Sequence, residues 1–310
     1  LVDYLFQEVL VLEDSEQTRL TSVSQETPAD ELYHSTLVPI QPHGTKPPFF
    51  CVPGIFGSVF DLYQLARDLG ADQPFYGLRS LGLDEDFKPY TRMADIAAHH
   101  IKALQTVQPQ GPYLLGGHSF GGKVAFEMAQ QLQAQGHKVS LLAIMDIQVA
   151  IPDQEKDVTN WDATQSIINF ASLYGSALKK DLGISSKALQ SLDSDEQLNS
   201  LLSKLTDQGL TKTELQRMLH VYTANTQASV QYVVQETYPT PILFFRASEM
   251  GALTDYLPDE AATGADPTWG WNQVSASVEL QVVPGSHFTM MAEPHVQVLA
   301  ERLKVYLDKA

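Results

Sequence analysis

The feature that most constrains the fold of this chain is a glycine-flanked turn around Ser119, between an apolar run and a helical stretch. The apolar run 113–115 is followed by GGHSFGG at 116–122 and by a helix-forming segment at 123–132. Only small flanking residues allow a strand and a helix to pass this closely around a strained serine. The turn also brings the first amides of the helix beside the hydroxyl, where an oxyanion can be stabilised. We therefore predict that Ser119 is a nucleophile.

Short apolar runs alternate with helical periodicity from residue 37 onward. Helices are predicted to start at Ser58, with Asp61 as a variant of the capping box, and at Thr91, and a last helix is predicted over 292–308. Strands are predicted at 37–40, 48–52, 75–78, 113–115, 139–145, 241–245 and 278–283. The alternation predicts an α/β fold, with a mostly parallel central sheet and helices on both faces.

The strand pattern is interrupted between residues 150 and 238. This stretch reads as helices joined by polar turns, and it ends in a long helix from about Thr211 to Gln235. Helical insertions of this kind commonly form lids over functional sites. We predict a helical lid insertion at about 150–238.

A serine turn of this type predicts an acid and a histidine later in the chain, in that order. His287 follows the last predicted strand, and the Pro284-Gly285 turn directs the chain back toward the sheet edge, so His287 is the candidate base. Asp146 follows the strand at 139–145 and could orient the imidazole. Glu249, after the strand at 241–245, is the rival acid, and Asp255 is a weaker rival.

The remaining histidines fit the role of base less well. His118 lies inside the turn, where it is expected to pack rather than act, and His220 on the long insertion helix could face a substrate. His99 and His100 are adjacent on one predicted helix, so they cannot face the same metal ion.

Two backbone amides are needed to stabilise an oxyanion. Phe120 follows the serine and is the first predicted donor. The second is expected in the early turn at 53–57, where Pro53 has no N–H to give, and we nominate Ile55.

Composition limits the partners and the cofactors. The net charge of −17 argues against binding to nucleic acid or to a membrane surface. The single cysteine, Cys51, lies in an apolar run, so we expect a buried inert thiol and a reducing, cytoplasmic setting. No phosphate-binding loop, dinucleotide fingerprint or zinc-ligand spacing occurs, and no metal or bound cofactor is predicted.

The N-terminal region reads differently from the rest of the chain. Residues 1–12 form one amphipathic helix by pattern, 13–36 read as a polar linker, and 37–310 as the main domain. The chain begins with Leu1 rather than methionine, and we expect it to be part of a longer polypeptide.

These motifs together resemble the type I thioesterase domains that terminate nonribosomal peptide and polyketide synthases, members of the α/β-hydrolase superfamily. The resemblance extends over 37–310, and Asp146 stands 27 residues after Ser119. The segments that carry it are 50–54, 60–66, 116–129, 225–232 and 284–288.

The resemblance implies an α/β-hydrolase fold and a serine-dependent thioesterase. Such an enzyme takes an acyl or peptidyl chain from the phosphopantetheine thiol of a carrier domain onto the serine, here Ser119. It then releases the chain by hydrolysis or macrocyclisation. The implied partner is an upstream acyl or peptidyl carrier domain, whose last helix residues 1–12 resemble. The alternatives are a stand-alone serine esterase or lipase, a discrete editing thioesterase and a catalytically silent binding module.

Overall fold

A computed structural model describes residues 36–83, 87–149, 163–249 and 266–310. The sheet has seven strands in the order β1-β3-β2-β4-β5-β6-β7. The strands are β1 (Leu37–Gln41), β2 (Phe49–Val52), β3 (Phe75–Leu78), β4 (Tyr113–His118), β5 (Val139–Met145), β6 (Ile242–Glu249) and β7 (Val278–Ser286). Only the edge pair β1 and β3 is antiparallel, and every other pair is parallel. The predicted mostly parallel α/β sheet is confirmed.

Helices cover both faces of this sheet. The described α-helices are α1 (Phe60–Leu69), α2 (Met93–Gln105), α3 (Phe120–Ala134), α4 (Ala163–Ala177), α5 (Ser186–Leu189), α6 (Ser194–Lys204), α7 (Lys212–Gln231), α8 (Trp271–Val274) and α9 (His295–Leu307). Apolar side chains of α2, α3 and α8 form the core on one face, and those of α1 and α9 form the core on the other.

Strand β2 shows why both faces are covered. All four of its residues are buried, and successive side chains point to opposite faces. Phe50 and Val52 belong to the core under α2 and α3, whereas Phe49 and Cys51 belong to the core under α1 and α9. Burying a side chain the size of phenylalanine contributes about 1.5–3 kcal/mol, so this strand fixes the two layers on the sheet. The predicted buried thiol of Cys51 is confirmed.

The start of α1 differs from the prediction. The helix begins at Phe60 with Val59 as its N-cap, and Asp61 makes no capping bond. Val59 is buried, and its Cγ1 would lie 2.7 Å from a Cβ placed on Gly77, so the N-cap residue packs against β3. The Phe60 amide donates to Ser58 Oγ over 3.4 Å. The predicted Thr91 cap of α2 is also wrong, because the first turn bonds to the carbonyl of Arg92 instead.

The insertion between β5 and β6 is described from residue 163, where it consists of α4, α5, α6, a short 3-10 helix at Thr206–Gln208 and α7. These helices pack on one another in a separate apolar cluster. Helix α7 joins this cluster to the sheet domain, because Leu215 and Tyr222 pack in the insertion and Ala228 packs in the core beside α3. We refer to residues 163–231, the described part of the predicted lid insertion, as the lid.

Some predicted segments lie outside the described residues. They are the helix at 1–12, the linker at 13–36 apart from Thr36, the start of the insertion at 150–162, and the rival acid Asp255. Within the described ranges, no helix is both long and apolar enough to cross a bilayer.

Candidate active site

Three predicted site residues follow strands whose carboxyl ends meet at one edge of the sheet. Ser119 comes directly after β4, Asp146 directly after β5 and His287 directly after β7. Backbone hydrogen bonds continue past the strand ends, from the Ser119 amide to Met145 O (2.8 Å) and from the Asp146 amide to Phe245 O (2.8 Å). The sheet therefore fixes where these three residues lie.

The turn at Ser119 is strained and closely packed. Its φ is 54° and its ψ is −130°, a conformation that costs of the order of 1–3 kcal/mol for a residue other than glycine. A Cβ on Gly117 would lie 2.0 Å from Gly121 O, and a Cβ on Gly121 would lie 2.2 Å from Val52 O. Only glycine fits at these two positions, which is the physical basis of the sequence motif around the serine.

The side chains of Ser119, His287 and Asp146 form one hydrogen-bonded chain. His287 Nε2 lies 2.9 Å from Ser119 Oγ, and His287 Nδ1 lies 2.9 Å from Asp146 Oδ2. Asp146 Oδ1 also accepts a hydrogen bond of 2.7 Å from the amide of Ala247. His287 is 7% exposed and Asp146 is 3% exposed, so water barely competes for these bonds.

The charge on Asp146 determines which ring nitrogen of His287 carries the proton. Burial acts to raise the pKa of Asp146, but hydrogen bonds from His287 and the Ala247 amide, with the charge of the imidazole, hold that pKa below its ordinary value. An ionised carboxylate only accepts, so His287 Nδ1 carries a proton and donates it to Asp146. Nε2 is then free to accept from the Ser119 hydroxyl, as a general base requires.

His118 supports the loop that carries His287. Its Nε2 donates to the carbonyl oxygen of His287 over 3.0 Å, and the two ring centroids are 4.9 Å apart. Burial, with the charge of His287, lowers the pKa of His118 to about 3, so the ring is neutral near pH 7. His118 therefore packs against His287, as expected from the sequence, and its hydrogen bond also fixes the backbone of His287.

The turn at 53–57 lies beside the serine. A Cβ on Gly54 would be 3.7 Å from Ser119 Cβ. Over the part of the chain that the structure describes, the amides of Ile55 and Phe120 donate to no other group. Both amides are therefore available to an oxyanion formed at Ser119, and the amide of Phe120 is in addition the first of helix α3.

The other candidates from the sequence stand apart from this chain of hydrogen bonds. Glu249 lies at the exposed end of β6, and Asp146 occupies the position beside His287 Nδ1. His220 is exposed on α7, and His99 and His100 are buried on α2 with pKa values lowered by burial to about 4 and 3. The described residues contain no group of three or more His, Cys, Asp or Glu side chains suited to a metal ion.

Asp61 was interpreted from the sequence as part of a helix cap, but in the structure it lies in the first turn of α1 and interacts electrostatically with His287. The residue is exposed at the surface, but the surrounding protein removes part of the water around its carboxylate, and this burial raises the pKa of Asp61, whereas the charge of His287 lowers it. Its charge in turn raises the pKa of Tyr174 on α4, after the larger effect of burial. The carboxylate is thus within electrostatic reach of both the imidazole and the lid.

Asn225 is a second residue whose position the sequence did not reveal. It is 2% exposed on α7, and its Nδ2 donates to Ile55 O (2.9 Å) and to Ser80 Oγ (3.1 Å). The available signal was a polar residue four positions after the buried Val221, on the helix face that packs inward.

Comparison with known proteins shows which family this chain resembles. The model of the thioesterase domain family matches residues 47–305. Chondramide synthase cmdD of Chondromyces crocatus is 30% identical over 89% of this chain and 7% of its own length. Atromentin synthetase invA5 of Paxillus involutus is 28% identical over 86% of this chain and 28% of its own length. The chain thus spans less than a third of each of these relatives.

Solved structures share the fold. A four-domain nonribosomal peptide synthetase bound to AMP and glycine matches with a TM-score of 0.77 and 24% identity, over 87% of this chain and 20% of that one. The Vlm2 thioesterase domain bound with a dodecadepsipeptide matches with a TM-score of 0.62 and 23% identity, over 88% of this chain and 98% of that domain. With the family match across most of its length, this chain belongs to the thioesterase domain family.

Proposed function

We propose that this chain releases an acyl or peptidyl chain from the phosphopantetheine thioester of a carrier domain, through an acyl-O-Ser119 intermediate. The observation that carries the proposal is the buried chain of hydrogen bonds from Ser119 through His287 to Asp146, with 2.9 Å at each step. Membership of the thioesterase domain family and the similarity to peptide synthetases favour a carrier-bound thioester over the ester of a stand-alone esterase.

In the first half of the reaction, Ser119 attacks the thioester carbon. His287 Nε2 takes the hydroxyl proton, and Asp146 stabilises the imidazolium that results. The carbonyl oxygen becomes an oxyanion, which accepts hydrogen bonds from the amides of Ile55 and Phe120. The carbon–sulfur bond then breaks, the pantetheine sulfur leaves with the proton from His287, and the acyl group stays on Ser119.

In the second half, the same groups work in the opposite direction. His287, neutral again, takes a proton from water or from a nucleophile within the bound chain, and that nucleophile attacks the acyl-serine. The second tetrahedral oxyanion forms in the same place. Collapse returns the proton to Ser119 and releases an acid or a macrocycle. Among the described residues, Ser119, His287 and Asp146 are sufficient for these proton transfers.

The test is thiol release from an acyl group loaded on a carrier domain and from the matching N-acetylcysteamine thioester. Ser119→Ala is expected to lower kcat by about 10⁴-fold or more. Ser140→Ala is the matched control, because this β5 hydroxyl is buried and makes no hydrogen bond in the described structure. Turnover by Ser119→Ala near the unmodified rate would refute the proposal.

The same assay separates the proposed function from the alternative of a stand-alone esterase. The carrier-bound thioester is expected to have a higher kcat/KM than an oxygen ester of the same acyl group. A preference for the free oxygen ester would favour the esterase instead.

A further inference from the structure

The turn at 53–57 is held in place by two backbone hydrogen bonds, one within the turn and one to the segment after β3. The Gly57 amide donates to Gly54 O over 2.9 Å, and the Ser80 amide donates to Gly57 O over 3.0 Å. Gly54 O belongs to the same peptide plane as the Ile55 N–H. Because a trans peptide is planar, with its carbonyl and N–H pointing in opposite directions, the bond from Gly57 helps to set the direction of the Ile55 N–H.

The next peptide plane of the turn is held by the lid. Its carbonyl, Ile55 O, accepts the 2.9 Å hydrogen bond from Asn225 Nδ2 on α7. The same amide nitrogen donates to Ser80 Oγ, so it joins the turn to the segment after β3. Two adjacent planes fixed on either side of the Ile55 Cα leave little freedom for the Ile55 amide.

Aromatic contacts bring the turn and the lid together at the same place. The Phe56 ring stacks on Tyr222 of α7, with centroids 5.9 Å apart, and meets Tyr174 and Phe170 of α4 edge-on at 5.1 and 5.5 Å. A Cβ on Gly57 would lie 3.0 Å from Val221 Cγ1, which shows how closely α7 approaches. Packing therefore brings α7 near the turn, and the Asn225 bond adds a directional contact.

We propose that Asn225 is a positioning residue for the oxyanion hole: its bond to the Ile55 carbonyl holds the peptide plane next to the one that carries the Ile55 N–H, so it restrains the Ile55 amide and couples helix α7 of the lid to the acyl-transfer site. This inference rests on the proposed role of Ile55 and extends it. By this inference, the lid affects the rate at which Ser119 is acylated as well as the entry of the substrate to Ser119. A displacement of α7 would move Asn225 and, through the bond to Ile55 O, the Ile55 amide. A 1 Å misplacement of a reacting group can cost about 10²-fold in rate.

Asn225→Asp and Asn225→Leu are the variants that test this role. The aspartate keeps the shape and, when ionised, cannot donate to Ile55 O, and the leucine keeps the branching without any polar group. Thr226→Val is the matched control on the same helix turn, because the Thr226 hydroxyl is buried and makes no hydrogen bond among the described residues. Folded fractions are measured by circular dichroism and thermal melts.

Two readouts distinguish positioning from a structural role. The first is kcat and KM for p-nitrophenyl acetate, which reacts at Ser119 with the same base and oxyanion hole but needs no carrier domain. The second is the inhibition constant of phenylboronic acid: Ser119 Oγ adds to boron, its proton passes to His287, and one oxygen of the tetrahedral boronate anion occupies the oxyanion position. A loss of folded protein alone would lower the apparent kcat without changing this inhibition constant.

Both Asn225 variants are expected to lose about 10- to 100-fold in kcat, with KM within about twofold and a matching loss of phenylboronic acid affinity. Thr226→Val is expected to stay within about twofold. Folded Asn225 variants with unchanged inhibition constants would overturn the proposal.

A measurement on the unmodified protein decides the matter if the variants fail to fold. Phenylboronic acid is expected to slow amide hydrogen exchange in α7 as well as in the turn at 53–57, and to do so in the unmodified protein but not in Ser119→Ala. Unchanged exchange in α7 would overturn the proposal. If the unmodified protein hydrolyses p-nitrophenyl acetate but no carrier thioester, the proposed function fails while this test still applies.

Discussion

Replacing Asp146 with asparagine tests whether the proton on His287 is placed as the geometry indicates. Asp146 accepts two hydrogen bonds, from the Ala247 amide to Oδ1 (2.7 Å) and from His287 Nδ1 to Oδ2 (2.9 Å). Asparagine has one oxygen and one NH₂ group. The Ala247 amide can only donate, so the oxygen stays with it and the NH₂ group turns to His287.

An NH₂ group facing Nδ1 requires a lone pair on that nitrogen, and the imidazole proton moves to Nε2. Nε2 then points its N–H at Ser119 Oγ, 2.9 Å away, and cannot take the serine proton. The expected loss of kcat is about 10⁴-fold, which corresponds to a barrier raised by about 5 kcal/mol. Both hydrogen bonds and the side-chain volume are kept, so the free energy of unfolding should change by less than about 1 kcal/mol.

The assay is initial thiol release from an acyl N-acetylcysteamine thioester, with urea unfolding of the same samples. Asp72→Asn is the control, because Asp72 is an exposed carboxylate that bonds Thr45 in a loop preceding β3, at the opposite edge of the sheet. It should leave the rate unchanged. A folded Asp146→Asn protein that loses less than about tenfold would refute the tautomer argument.

Three further outcomes follow from the buried and charged groups. Burial, with the charge of His99, lowers the pKa of His100 to about 3 in the folded protein, so between pH 6.5 and 3 the unfolded chain binds more protons at this site. The free energy of unfolding should fall by about 1.4 kcal/mol per pH unit from this residue as the pH drops, and urea melts of His100→Phe should show that slope removed. Burial raises the pKa of the Cys51 thiol, so Ellman's reagent should label it only in urea, and labelling of the folded protein would contradict its burial. Asp61→Asn removes a negative charge that interacts with the positive charge formed on His287 during the reaction, and it should lower kcat about fivefold. Asp68→Asn on the same helix should leave kcat unchanged. Equal rates for the two variants would show that the Asp61 charge does not affect His287.

The sheet and the placement of the three central side chains were predictable because their signals are local. The turn around Ser119 needs glycine at 117 for a contact with Gly121 four residues later, and parallel strands read as continuous apolar runs. The glycine at 121 belongs to the same sequence motif, although the backbone that it makes room for is that of Val52 in β2. Asp146 and His287 each follow such a run. Local sequence could not decide whether Asp146 or Glu249 bonds to His287, because this depends on which strand end faces His287 across the sheet.

Other features depend on contacts that sequence spacing does not report. Asn225 and Ile55 are 170 positions apart, and His118 and the His287 carbonyl are 169 apart. The start of α1 differs from the prediction by two residues, and Val59, which packs against Gly77 of β3, takes the N-cap position. Each of these residues has an ordinary local pattern, and its role comes from a partner that the fold supplies.

The covalent intermediate on Ser119 is the central claim, and quenched-flow mass spectrometry tests it most directly. The protein is mixed with an acyl-loaded carrier domain, stopped in acid at successive times, and its intact mass and tryptic peptides are measured. We predict that the acyl mass appears on the peptide containing Ser119 before product accumulates, and that Ser119→Ala never carries it. Product release at the full rate with Ser119 unmodified at every time, or with the acyl group on another residue, would contradict the account.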